Sequence, residues 1–187
     1  EALALARQLR LLLDGPRRPR WYDGLIDGTG IQTSIDDPMS PFLAHGAFRG
    51  TENPVAPPLV ITDEVRPDGT RVKVGHVTLN LAYEGPPHGV HGGFVAGLFD
   101  DILGSAQGHV RYPGVTGRLT VRYRHITPVE EELRFEAWIE SDDGKRIVAK
   151  ATCHAEDGAL LTAEAEALFI RVDFEEIQAR MAARRDA

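Results

Sequence analysis

The stretch GGFVAGLFDDILGSA, residues 92–106, is the one long, nearly all-apolar helical segment of this chain. Phe94, Leu98 and Ile102, with Val95, Phe99 and Leu103, recur at the three- and four-residue spacing that gathers bulk on one face of a helix. The other regular segments near it alternate apolar and polar residues, the mark of half-buried strands. A sheet with one apolar face must cover it, and this helix is the segment long and apolar enough to do so. The chain is thereby constrained to an α+β architecture: an antiparallel sheet curled around one buried helix.

The strands are legible on either side of it. Before the helix, NPVAPPLVITDEV runs through the turn signal Pro67-Asp68-Gly69 into TRVKVGHVTLNLAYEG, where Val77, Leu79, Leu81 and Tyr83 alternate. Gly75 breaks the parity between Val72/Val74 and Val77/Leu79, which predicts a β-bulge. After the helix come four strands, read as a meander, with inward residues Leu119, Val121 and Tyr123; Leu133, Phe135, Ala137 and Ile139; Ile147, Ala149, Ala151 and Cys153; and Leu161 through Phe169. Asp142-Asp143-Gly144 and Glu156-Asp157-Gly158 supply hairpin turns between the last three.

The division that follows is a helix and loop-rich wrapping segment over 1–57, a central domain over 58–173 and a short C-terminal helix over 174–187. The opening EALALARQLRLLLDG reads as a packed amphipathic helix ended by Gly15 and Pro16; it lacks the cleavage site of a signal peptide. A net charge of -7 argues against bulk nucleic-acid or acidic-membrane binding, and no apolar run approaches the length of a membrane span. The single cysteine, Cys153, excludes an internal disulfide and offers no zinc cluster, so a reducing cytoplasm is the natural compartment.

The central helix carries more than packing requires. Gly93, Gly97, Gly104 and Gly108 form a stripe with Asp100 and Asp101. Each glycine inside a helix costs about 1 kcal/mol relative to alanine, and a stripe of them lets a second backbone or a ligand come close. Packing of two such helices across a dimer is one use of it. The preceding loop, YEGPPHGVHGG, suggests another. Gly92 and Gly93 stand at the helix start, where N–H groups lack intrahelical partners and attract negative charge. Such donors can form an oxyanion hole, and a carboxylate two turns later can activate water or attack a carbonyl. On one helix those groups lie about 12 Å apart, so a single active site would take the glycine of one subunit and the aspartate of its partner. His88 and His91 lack the carboxylate–histidine set of a metal site, so no metal is expected. Ser105 has no histidine–acid pair at suitable spacing.

YEGPPHGVHGGFVAGLFDDILG resembles the signature loop and central helix of the hotdog-fold acyl-CoA thioesterases, in the PaaI-like branch and its thioesterase-superfamily-member group. The resemblance extends through GVTGRLTVRYRHITPV and covers about residues 70–172. It implies a hotdog fold and a homodimer or dimer of dimers hydrolysing acyl-CoA, with no cofactor beyond the coenzyme A of the substrate. It assigns Asp100 as general base or nucleophile, Gly92 as the carbonyl donor from the partner's helix, His91 as loop-shaping or carbonyl-assisting, and Thr116 as holder of the water. Asp101 is the alternative carboxylate. Gly85 departs from the family, which often has asparagine six residues before the histidine. A hotdog dehydratase or hydratase and a non-catalytic acyl-CoA-binding protein are the rival functions.

Coenzyme A carries phosphates, so basic groups near the site are substrate-binding candidates beside Gly93. Arg122 and Arg124 share the outer face of one strand, and Gly144, Lys145 and Arg146 lie at a hairpin tip. Ordinary solvated basic residues on a sheet would look the same.

Overall fold

The computed structural model describes residues 3–5, 7–8, 44–110 and 114–171. Residues 3–5 and 7–8 are helical; most of the 1–57 segment and the whole 174–187 helix lie outside the described residues. The compact unit spanning residues 33–177 contains all the elements that follow.

Six strands, β1 (Val60–Val65), β2 (Arg71–Thr78), β3 (Gly114–Tyr123), β4 (Glu132–Asp142), β5 (Arg146–Ala155) and β6 (Leu160–Arg171), form one sheet of order β1-β2-β4-β5-β6-β3. Every pairing is antiparallel. Helix α1 (Gly92–Ala106) lies against the sheet and meets β2, β3, β4, β5 and β6. This is the hotdog architecture, one helix in the wrap of a curved sheet.

The core forms where the two periodicities meet. Val95, Leu98, Phe99, Ile102, Leu103 and Ala106 are at most 1% exposed, and they pack on Leu133, Phe135, Ala149, Ala163 and Phe169. Phe99 meets Phe135 edge-on, with centroids 5.1 Å apart, the arrangement that ring quadrupoles favour. Phe94, the sixth bulky residue of the helix, is half-buried and instead sets its ring edge-on to Tyr83 at 4.8 Å.

Three local expectations need correction. The alternation through Leu81 and Tyr83 is not strand: β2 ends at Thr78, and Leu81–Tyr83 form a 3-10 turn. Asn80 causes the change, its Oδ1 accepting the Ala82 N–H at 2.9 Å while its carbonyl accepts from Tyr83, a local alternative to the ladder. Gly75 is not a bulge either; its pairing runs unbroken to Ile61 and to Phe135. Both faces of β2 are buried here, with Val72 and Val74 on one and Gly75 and Val77 on the other, so the parity break requires no extra residue. A Cβ on Gly75 would come 2.9 Å from Ile102 of the helix. Bulges occur instead between Thr116 and Arg118, Ile139 and Ser141, and Cys153 and His154.

The third correction is topological. Only β4, β5 and β6 form a meander; β3 pairs with β6 at the far edge, and β4 pairs with β2. The connection from β3 to β4 crosses the loop before the helix, where Val90 donates to Thr127, Val129 to His88 and Glu130 to Leu79. The expected turns are present, with Gly144 and Gly158 at positive φ.

Beyond the last turn of α1, His109 Nε2 lies 2.6 Å from Asp63 Oδ1, and Lys73 Nζ donates to Asp63 Oδ2 at 2.8 Å. Lys73 and His109 are nearly inaccessible whereas Asp63 is half-exposed. The His109 bond first, and the Lys73 bond second, hold the Asp63 carboxyl below the usual range. A depressed carboxylate contributes stability above its unfolded pKa and loses it as pH falls through the folded one. Asp63→Asn is therefore expected to cost about 1–3 kcal/mol at pH 7, because it strips the buried Lys73 of its charged acceptor. The gap from wild type should narrow as pH drops below 3.8, the unperturbed value. Urea melts at several pH values test this; a gap constant down to acid pH would refute it.

Candidate active site

The loop before α1 is closed by short backbone contacts. Gly85 donates to Gly89 and His91 to Tyr83, and an isolated bridge joins Glu84 to Val90. His88 takes a positive φ of 61, with its N–H held by Glu84 Oε1 at 2.7 Å. Gly85 presses on the backbone of His91: a Cβ there would stand 2.7 Å from the His91 Cα. A side chain at position 85 would require this loop to shift. Gly85→Ala should lower stability by about 1–3 kcal/mol, read as a lower urea midpoint with an unchanged m-value. An unshifted midpoint would mean that the loop yields freely.

His91 is the N-cap of α1. Its Nδ1 accepts the Gly93 N–H at 3.0 Å, so in this arrangement the neutral ring carries its proton on Nε2. The neighbouring Gly92 N–H has no acceptor among the described residues, as the first turn of a helix allows. Above Gly92 stands Tyr123, the last residue of β3, whose phenol donates to the Gly92 carbonyl at 2.8 Å. A Cβ on Gly92 would come 3.3 Å from that ring, so glycine keeps the helix start and the tyrosine together. An open groove of about 770 Å³ lies here, lined in part by His91, Gly92, Gly93, Tyr123 and Arg124.

Two turns along the helix, the Thr116 hydroxyl donates to Asp100 Oδ1 at 2.9 Å, and both residues are exposed. The tertiary structure thus joins the aspartate and threonine singled out from sequence. It does not bring them to Gly92 within the same chain. Gly92 sits against Tyr123 at the end of β3 and Asp100 against Thr116 near its start, about 12 Å apart along the helix.

Asp101 has a different environment. Arg49 Nε lies 2.7 Å from its Oδ2, and both side chains are largely covered. Burial pushes the Asp101 carboxyl above the usual range; Arg49 opposes this, and the adjacent Asp100 charge adds to it. Burial thus falls on Asp101, whereas Asp100, which its glycine and apolar neighbours in the sequence would leave poorly solvated, is open to solvent.

The basic candidates divide. Arg122 and Arg124 both turn to Glu164 Oε1, at 3.8 Å and 2.5 Å. Gly144, Lys145 and Arg146 form the β4–β5 tip; Asp142 and Asp143 accept their backbone N–H groups and leave Lys145 and Arg146 exposed. No group of His, Cys, Asp and Glu among the described residues could hold a metal ion. No helix among them is long and apolar enough to cross a membrane. Tyr123 and Arg49 were missed by sequence reasoning. Tyr123 ends the same alternating face as Leu119 and Val121, a usable signal; Arg49 lies far upstream of Asp101, and no local spacing links them.

A crystal structure of a thioesterase superfamily protein is 32% identical to this chain, with a TM-score of 0.68 over 90% of this chain and 80% of that one. The chain belongs to the thioesterase superfamily. A Streptococcus mutans protein solved bound to acetyl CoA shares the fold at 14% identity, with a TM-score of 0.54 over 61% of this chain and 88% of that one. The acyl-coenzyme A thioesterase THEM4 of Xenopus laevis is 29% identical over 89 residues, which is 48% of this chain and 40% of that relative. The chain thus spans less than half the length of this curated relative. No family model matches.

Proposed function

We propose that this chain hydrolyses acyl-coenzyme A thioesters in a site shared by two subunits. The observation that carries the reading is the hydrogen bond from Thr116 to Asp100, on the helix whose first residues line an open groove. The thioester carbonyl oxygen would accept from the Gly92 N–H of one subunit, which stabilises the oxyanion as charge develops. His91 would assist as a donor through Nε2. Asp100 of the other subunit takes a proton from a water held by the Thr116 oxygen, or attacks the carbonyl carbon itself, displacing the thiolate to form a mixed anhydride that water then hydrolyses to the acid and the free carboxylate. In the first route the water oxygen bonds to the acyl carbon and the carbon–sulfur bond breaks. The acid leaves on one side; the coenzyme A thiolate leaves on the other and takes up a proton.

Superfamily membership supports hydrolysis, and so does His91. With Nδ1 taken by Gly93, its ring lacks the free lone pair that a dehydratase histidine needs as base. An assembly of two or more chains is supported by the separation of Gly92 from Asp100 and by β3, an edge strand with β6 as its one partner in the sheet. Val115 is 47% exposed and Tyr123 54% exposed on that strand, whose edge leaves backbone groups unpaired, of the kind proteins cover. A homodimer, or a dimer of dimers, would bring a second helix start to Asp100. For the coenzyme A phosphates, Lys145 and Arg146 are the more available cations; Arg122 and Arg124 would first have to exchange Glu164.

Thiol release from acyl-coenzyme A substrates, acetyl to palmitoyl and one aromatic, is the direct test. Asp100→Asn should lower kcat by about 10²- to 10⁴-fold and leave KM nearly unchanged, while Asp101→Asn should be much milder. Normal turnover in both variants would end the carboxylate mechanism. A changed acyl group without thiol would favour a dehydratase, and tight binding without thiol a regulator. Sedimentation should give a dimer or larger species at micromolar concentration; a monomer with full activity would rule out the shared site.

A further inference from the structure

The backbone N–H groups from His91 to Val95 are engaged, with one exception. His91 donates to the Tyr83 carbonyl, Gly93 to His91 Nδ1, and Phe94 and Val95 to the His91 carbonyl. The exception is the Gly92 N–H, which has no acceptor among the described residues. The carbonyl of the same residue takes the Tyr123 phenol at 2.8 Å. A helix carbonyl in the first turn accepts the N–H four residues on, so the phenol is a second donor that helix formation does not need. Nor does the tyrosine need this partner to be buried, because it is 54% exposed and water can satisfy its hydroxyl.

The Gly92 carbonyl and the Gly93 N–H belong to one peptide unit. Tyr123 holds that unit at its oxygen, and His91 Nδ1 holds it at its nitrogen. The peptide unit before it is held at the His91 carbonyl, by Phe94 at 2.9 Å and Val95 at 3.3 Å. Gly92 is the link between the two. Without a Cβ it has more backbone freedom than any other residue, and helix ends fray. The tyrosine bond therefore acts on the softest point of the helix start. Tyr123 also shares β3 with Thr116, so one strand brings a hydroxyl to Gly92 and another to Asp100.

We infer that Tyr123 is a positioning residue, whose hydroxyl holds Gly92 so that its unpaired N–H keeps a single orientation beside the groove that both residues line. The inference rests on the acyl-thioester reading above, in which that N–H receives the thioester oxygen. A donor held in place before charge develops needs no rearrangement during the reaction. A glycine free to swing has to be ordered at the same moment. The effect of the tyrosine thus falls on the chemical step and not on substrate binding.

The test compares Tyr123→Phe, which removes the hydroxyl alone, with Tyr123→Ala, which removes the ring as well. Each is read by kcat and KM for thiol release, and by backbone amide relaxation of Gly92 in the unliganded protein, which needs no turnover. Deleting an oxyanion donor costs about 10²- to 10³-fold in kcat; loosening one should cost about 10-fold in both variants, with KM changed by less than about twofold. The Gly92 order parameter should fall from the rigid range, about 0.85, to below about 0.6. Normal turnover in Tyr123→Phe, or a loss confined to Tyr123→Ala, would overturn the role of the hydroxyl and leave hydrolysis intact. A lower kcat with an unchanged Gly92 order parameter would overturn positioning as its cause. No thiol release by wild type, together with the fall in Gly92 order, would remove hydrolysis and retain the hold of Tyr123 on Gly92.

Discussion

The seating of α1 in the sheet is the constraint on which the rest depends. Six of its fifteen residues are buried, and their contact with Leu133, Phe135, Ala149, Ala163 and Phe169 forms the core. Burying each large apolar side chain is worth about 1.5–3 kcal/mol, against about 1 kcal/mol for a glycine in the helix interior. One face therefore stabilises the helix enough for the other to dispense with side chains. The glycines at 93, 97 and 104 become tolerable because Leu98, Phe99 and Ile102 are so well packed.

The same asymmetry separates two adjacent carboxylates. Asp100 and Asp101 differ by 100° around the helix, and this alone sends them to different neighbours. Asp100 reaches the edge strand and meets a hydroxyl that leaves it solvated. Asp101 turns under the segment around Phe48 and meets a guanidinium in a covered position. A buried carboxylate with one cationic partner is a structural tie whose removal leaves a charge behind; an exposed carboxylate holding a threonine carries no such cost. In the proposed mechanism chemistry and anchoring are thus divided between neighbours.

At the start of the helix, close approach rather than charge organises the residues. Gly85 yields to His91, His91 caps Gly93, and Gly92 yields to Tyr123. Gly85 is required by the His91 backbone, while Gly92 and Gly93 stand in close contact with the Tyr123 and His91 side chains. Of these two glycines only Gly92 keeps an N–H without an acceptor among the described residues, since Gly93 donates to His91, and it is that donor which the proposed oxyanion site would use.

By itself the sequence determined the wrap of an antiparallel sheet around residues 92–106, because the helical period of Val95, Leu98, Phe99 and Ile102 and the alternation of the later strands leave few other ways to bury apolar surface. The acyl-thioester resemblance was also legible, from the glycine loop, Asp100 and Thr116 taken together. Local pattern erred where a short polar side chain competed with the ladder, as Asn80 did after β2, and where burial on both faces of β2 imitated a bulge at Gly75. Tertiary structure alone decided that β3 crosses to β6, that Thr116 bonds Asp100, that Arg49 belongs to Asp101, and that Tyr123 bonds Gly92. These are pairings between residues far apart in the chain. Periodicity records which face a residue presents, and only the packed sheet and helix decide which distant residue meets it there.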